Sequence, residues 1–97
     1  MINLTLTKSN MSVGEFEDKD TQGRRCIMGH LFALTGHTSE ELQKGQMWGI
    51  PPHILLDPIV ALSGTPFTMN DWVNLAYANN DQDWDRLTSL CEALNIH

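Results

Sequence analysis

Two glycine stops, each followed closely by a helix-capping box, do most to limit what this chain can fold into. Ala33-Leu34-Thr35-Gly36 is followed by Thr38-Ser39-Glu40-Glu41, and Ala61-Leu62-Ser63-Gly64 by Thr68-Met69-Asn70-Asp71. In such a box the threonine hydroxyl accepts the backbone N–H three residues on, and the acid reaches back to the threonine N–H. A glycine after a helix takes the left-handed conformation that ends it. Each stretch therefore reads as helix, stop, helix, and two helix hairpins of this kind pack as a small bundle.

Helical spacing of apolar residues extends this reading along the chain. A first helix is expected from about Arg24 to Thr35, with Ile27, Leu31 and Leu34 on its core face and Cys26 and His30 beside them. A short second helix runs from Thr38 to the stop at Gly45. Gly49, Pro51 and Pro52 make a rigid connector around Trp48. The segment Ile54 to Leu62 contains Pro58, so a helical turn, a break near Asp57 and a helix to Ser63 are expected. The fourth helix opens at Thr68, takes Trp72, Val73, Ala76 and Tyr77 as its apolar side and ends at Asn79-Asn80. The last starts near Asp81 and carries the clearest stripe: Trp84, Leu87, Leu90, Cys91 and Leu94.

Ahead of these helices, Ile2, Leu4 and Leu6 alternate with Asn3, Thr5 and Thr7, the period-two pattern of a strand. Lys8-Ser9-Asn10 could turn it into a second extended piece with Met11 and Val13, and Glu15 to Gly23 reads as a polar loop. The expected fold class is mainly α: a compact bundle of four to five short helices with a short N-terminal β-strand or hairpin. At 97 residues the chain supports one domain over 1–97, with an extended and loop segment over 1–20 and a helical core over 24–95.

Composition narrows the function classes. With 41% hydrophobic and 19% charged residues, the chain is neither disordered nor membranous in type. No apolar run approaches the roughly 20 residues of a membrane span, and Met1 to Lys8 does not resemble a secretory signal. A cytoplasmic location follows as the expectation, with Cys26 and Cys91 kept as thiols. The net charge is −6 and unevenly spread. Residues 49–97 carry Arg86 as their only Lys or Arg against Asp57, Asp71, Asp81, Asp83, Asp85 and Glu92. Such a surface repels phosphate backbones, which disfavours direct nucleic-acid binding and favours a larger protein with a basic surface as partner.

Three constellations bear on chemistry. Cys26 and His30 lie four apart and share a helix face, a spacing that suits two metal ligands or a thiolate–imidazole pair. No further ligand motif accompanies them, so packing beside Ile27 and Leu31 is the simpler account, and no cofactor is expected. Asp81, Asp83 and Asp85 lack the glycine and glutamate of a calcium loop and instead crowd the first turn of a helix, where its dipole favours negative charge. A helix-turn-helix over Leu31 to Lys44 would place an acidic helix in the major groove, the wrong charge for DNA. Trp48, in its Gly/Pro connector, is the best single contact anchor, with plugging of the bundle's end as the other option.

Arg25-Cys26-Ile27-Met28-Gly29-His30-Leu31, together with Asn79-Asn80-Asp81 before the last helix, resembles small uncharacterised phage and bacterial proteins with an R-C-x-x-G-x-L … N-D pattern. The likeness does not extend to residues 1–20, and Ala78-Asn79 stand where a tryptophan often precedes the N-D step. The resemblance implies helices and a mobile-element setting, in which small acidic proteins often inhibit host or defence complexes; it supplies no activity. The sequence thus points to a non-enzymatic protein-binding module with Trp48, Asp81, Asp83 and Asp85 at its interface. The alternatives are a small metal- or thiol-dependent enzyme centred on Cys26 and His30, and a homo-oligomeric structural protein.

Overall fold

A computed structural model describes residues 1–97. Five α-helices follow in order: α1 (Ile27–Leu34), α2 (Ser39–Gln43), α3 (Pro52–Ser63), α4 (Met69–Asn80) and α5 (Trp84–Ala93). Short 3-10 turns lie at Lys8–Asn10 and Gln46–Gly49. The radius of gyration, 12.1 Å, matches the roughly 12.5 Å of a compact chain this long.

The punctuation is where the sequence places it. Thr38 Oγ1 accepts from Glu41 N at 3.2 Å while Glu41 Oε1 accepts from Thr38 N at 3.0 Å. Thr68 and Asp71 repeat the exchange at 3.3 and 2.8 Å. Gly36 and Gly64 follow α1 and α3 with positive φ of 104° and 71°.

The N-terminal strand or hairpin does not form; there is no sheet, only two isolated bridges. Ile2 bridges Ile96 in parallel and Met11 bridges Arg25. Ile2 N–H donates to Asn95 O at 2.8 Å and His97 N–H returns to Ile2 O at 2.8 Å. Leu4 N–H adds a bond to His97 O at 2.7 Å, and no second bridge follows. The piece after the Lys8–Asn10 turn pairs instead with Arg25, through Ser12 N–H to Arg25 O at 2.9 Å and Arg25 N–H to Asn10 O at 3.0 Å. That pairing holds Arg24 and Arg25 extended, so α1 begins at Ile27 rather than Arg24.

Two further expectations are corrected. Helix α3 is continuous through Pro58. Proline costs a helix the bond to the carbonyl four residues back, here that of Ile54; Ile54, Asp57 and Pro58 are all exposed, so water can take the freed oxygen. The core faces of α1 and α4 are also rotated from the predicted stripes. Leu34 is exposed and Phe32 buried; on α4, Leu75, Ala78 and Asn79 join Trp72 inside while Val73 and Tyr77 face out.

The polar stretch before α1 is a strap over the bundle rather than a solvated loop. Phe16 enters the core, and Glu17 is fully buried. A buried carboxylate is tolerable only when paired and hydrogen-bonded. Glu17 receives Arg25 Nε at 2.6 Å, Gln43 Nε2 at 2.8 Å and Ser39 Oγ at 3.1 Å. The strap is thereby tied to α2.

Candidate functional site

The strap, the turn before α3 and the side of α4 enclose a cleft of about 440 Å³, within the range of roughly 300–1,000 Å³ typical of ligand pockets. Its apolar lining comes from Phe16, Cys26, Met28, Leu42, Trp48, Trp72 and Ala76, and its polar rim includes Glu15, Lys19, Gln43, Lys44 and Asn80. The aromatic wall forms because each ring comes from a different fixed element. Trp72 is buried on α4 and meets Phe32 of α1 edge-on at 5.3 Å. Phe16 of the strap packs against Phe32 at 5.6 Å and Trp72 at 6.3 Å.

Trp48 completes the wall. Gly45, with φ 67°, turns the chain out of α2 and starts the 3-10 turn that carries it. The Trp48 ring stacks on Trp72, with centroids 5.4 Å apart and planes 20° apart, and meets Phe16 at 5.1 Å. It is nevertheless 71% exposed. Neither sequence option is complete alone: the indole is held against the bundle yet offers its outer face to solvent.

The acids lie beyond the cleft. Asn80 lines it, and the next residue, Asp81, is the C-cap of α4. Asp83 is the N-cap of α5, its Oδ1 accepting from Arg86 N at 3.2 Å, and Asp85 sits in that helix's first turn. All three are exposed, and the chain's four ion pairs involve none of them.

Cys26 and His30 are committed to different partners. Cys26 is the N-cap of α1, and its Sγ accepts from Gly29 N at 3.4 Å. Burial pushes its thiol up from the ordinary range. His30 Nε2 donates to the Asn10 carbonyl at 2.9 Å, and burial holds its imidazole below the usual value, favouring the neutral ring. No group of three or more His, Cys, Asp or Glu side chains converges as a metal site would require.

Cys91, on the buried face of α5, is pushed up to about 12 by desolvation, with Glu92 adding to it. At neutral pH its thiolate fraction is on the order of 1,000-fold below that of a free cysteine. An aromatic disulfide reagent at pH 7 is expected to modify both cysteines of the folded protein slowly, and both at once on addition of denaturant. Rapid modification of Cys26 in the folded state would show an activated thiol. The folded state holds the Cys91 proton more tightly than the unfolded state, so this contribution to stability is complete below pH 9 and is lost as pH climbs towards 12.

Sequence reasoning missed Phe16, although a lone aromatic within Glu15 to Asp18 was a signal that this stretch does not simply face water. No helix is long and apolar enough to cross a membrane. Comparison with protein-family models, with curated proteins and with solved structures gives no match, so the cleft is interpreted from its own geometry.

Proposed function

We propose that the chain is a non-enzymatic binding module that docks a larger protein across the Trp48 cleft. The observation that carries this reading is an indole 71% exposed and yet held by stacking on Trp72 and a tilted contact with Phe16. Tryptophan is among the residues that dominate protein interfaces, since it buries a large area with few rotatable bonds. A ring already held in place loses little further entropy on binding. The partner contributes an apolar side chain to the cleft, while Asp81, Asp83 and Asp85 beyond Asn80 attract a basic neighbouring surface and speed its approach. The resemblance of Arg25 to Leu31 to small phage and bacterial proteins suggests a host or defence complex as that partner.

An enzyme centred on Cys26 and His30 has less support. Nucleophilic catalysis needs a thiolate, and burial works against one here. The protonated nitrogen of the His30 ring is already spent on the Asn10 carbonyl.

The test compares capture of partners from a bacterial lysate by the wild type and by Trp48→Ala. The exposed side chain contributes little to the core, so the variant should keep its circular dichroism spectrum. Loss of a central anchor costs about 2 kcal/mol or more, and the captured partner should bind about 30-fold more weakly. A folded Trp48→Ala that retains every partner at full affinity would sink the reading.

A further inference from the structure

The cleft is charged in opposite senses at its two ends. At one end, Gln43 Nε2 donates to Asp18 O at 3.3 Å, which sets α2 beside the strap. The next residue on each side, Lys19 and Lys44, lines the cleft there. At the other end, Gly14 N–H donates to Asn80 Oδ1 at 3.0 Å, where the strap meets the last turn of α4. Glu15, next to Gly14, lines that end, and Asp81, Asp83 and Asp85 follow beyond Asn80. Between the two ends stands the aromatic wall of Phe16, Trp48 and Trp72.

We infer that the cleft takes one kind of segment from its partner: an aromatic side chain with a carboxylate on one side and a basic residue on the other. The inference rests on the docking role proposed above and adds the chemistry of what docks. The carboxylate lies at Lys19 and Lys44, the ring against the wall, and the basic residue towards Glu15 and Asp81.

The lysine end decides the carboxylate. The chain holds six Lys and Arg against twelve acids, so two lysines on one edge of one cleft reverse the sign of the surface there. Lys19 belongs to none of the ion pairs. Of its neighbours, Asp18 faces Arg24 at 3.4 Å and Asp20 is not part of the lining. Lys44 meets Glu40 at 2.7 Å, but both side chains are exposed, and such a pair holds its members weakly. Both ammonium groups can therefore meet an incoming carboxylate, which charge complementarity selects over a neutral side chain.

The wall gives a reason that does not depend on the lysines. Trp72 is 5% exposed, and a buried indole N–H ordinarily finds an acceptor. Here it has none in the chain. No fully enclosed polar side-chain atom lacks a partner, so this N–H reaches solvent, and Trp72 lines the cleft. An indole N–H only donates, so it suits a carbonyl or carboxylate oxygen of the docked segment. A ring in that segment gains edge and stacking contacts with the wall beyond its buried area, which an aliphatic side chain would forgo.

Unlabelled acetyl-Glu-Phe-Lys-amide and acetyl-Lys-Phe-Glu-amide carry this pattern in the two chain directions. They are titrated to ~10 mM, a range suited to millimolar affinity, into isotope-labelled protein observed through its three indole N–H resonances. At least one peptide should shift the Trp48 and Trp72 signals and leave that of Trp84, which lies outside the cleft, in place. Replacing Glu or Lys of that peptide by Gln should each weaken binding about three- to five-fold, as for one exposed ion pair. Replacing Phe by Ala should abolish the shifts. Lys19→Gln combined with Lys44→Gln changes two exposed positions, so the circular dichroism spectrum should stay as in the wild type. This double variant should bind the Glu and Gln peptides alike. Equal wild-type affinity for the charged peptide and either Gln counterpart overturns the inference, whatever the variant does. A preference for Glu that survives in the folded double variant overturns it too, as does a titration in which no peptide moves Trp48 and Trp72. Gln peptides that shift both indoles at full affinity would remove the charge pattern and leave docking at the cleft standing. Capture by Trp48→Ala tests docking alone, so the two proposals can fail separately.

Discussion

Asn79→Ala is expected to destabilise the fold by about 3–4 kcal/mol, far more than the same truncation at the adjacent Asn80. Asn79 is fully buried on α4, and its amide joins two segments distant in sequence. Its Oδ1 accepts from Ile27 N at 2.8 Å, and its Nδ2 donates to Ser12 O at 2.8 Å. Ile27 is the first residue of α1, so its N–H has no partner within the helix. The amide of α4 supplies it from outside while also fixing the strap. Truncation strands a donor and an acceptor in the interior, each costing about 1–3 kcal/mol. Asn80 makes one exposed bond, accepting from Gly14 N at 3.0 Å, and Asn80→Ala should cost under about 1 kcal/mol. Urea unfolding of both variants measures the difference. Equal midpoints for the two would show that Asn79 does not bridge these segments.

That amide also marks where the sequence stops being informative. Helix ends are local: Gly36, Gly64 and the pairs Thr38/Glu41 and Thr68/Asp71 act within a few residues, and each was legible from spacing alone. Partner choice is not local. The alternation at Ile2, Leu4 and Leu6 reads as a strand, but no strand forms there. The partner it meets is Ile96 at the opposite end of the sequence, and one bridge there is too little for a strand. Asn79 at the end of a helix reads as a terminator, and nothing nearby shows that it is buried against Ile27 and Ser12.

The candidate site divides the same way. Trp48 stood out because a tryptophan in a Gly/Pro connector has no helix stripe to join. Its support could not be seen, since Phe16 and Trp72 come from elements that only the folded chain brings together. The predicted faces of α1 and α4 erred for a related reason. Apolar residues occur on both sides of each helix, and periodicity alone cannot say which side meets the core. On α4 it was the wrong choice at Val73 and Tyr77 that concealed an exposed apolar face.

Gly29→Ala is expected to destabilise the protein by about 3 kcal/mol and to disturb the cleft, although helix propensity alone predicts a gain of about 1 kcal/mol. Gly29 lies inside α1, where alanine is ordinarily the better residue. Here a Cβ would stand 1.8 Å from Phe16 O and 2.8 Å from Phe16 C, both backbone atoms of the strap. No rotamer change relieves that, so the strap itself must move. It is held by Cys26 N–H to Glu15 O at 3.3 Å, by Asp18 N–H to Arg24 O at 2.9 Å and by the buried Glu17 carboxylate on Arg25. Moving it withdraws Phe16 from Trp48 and Trp72, so tryptophan emission should shift to the red and docking through Trp48 should weaken. The same geometry accounts for every fixed position of the Arg-Cys-x-x-Gly-x-Leu motif. Arg25 neutralises Glu17, Cys26 caps α1 through Gly29 N, Gly29 lets the strap approach, and Leu31 is fully buried in the core. On this account the motif builds the wall that carries the cleft rather than a reactive centre. A Gly29→Ala variant with a thermal midpoint at or above that of the wild type would remove the close approach from this explanation, and unchanged tryptophan emission would sever the strap from the cleft.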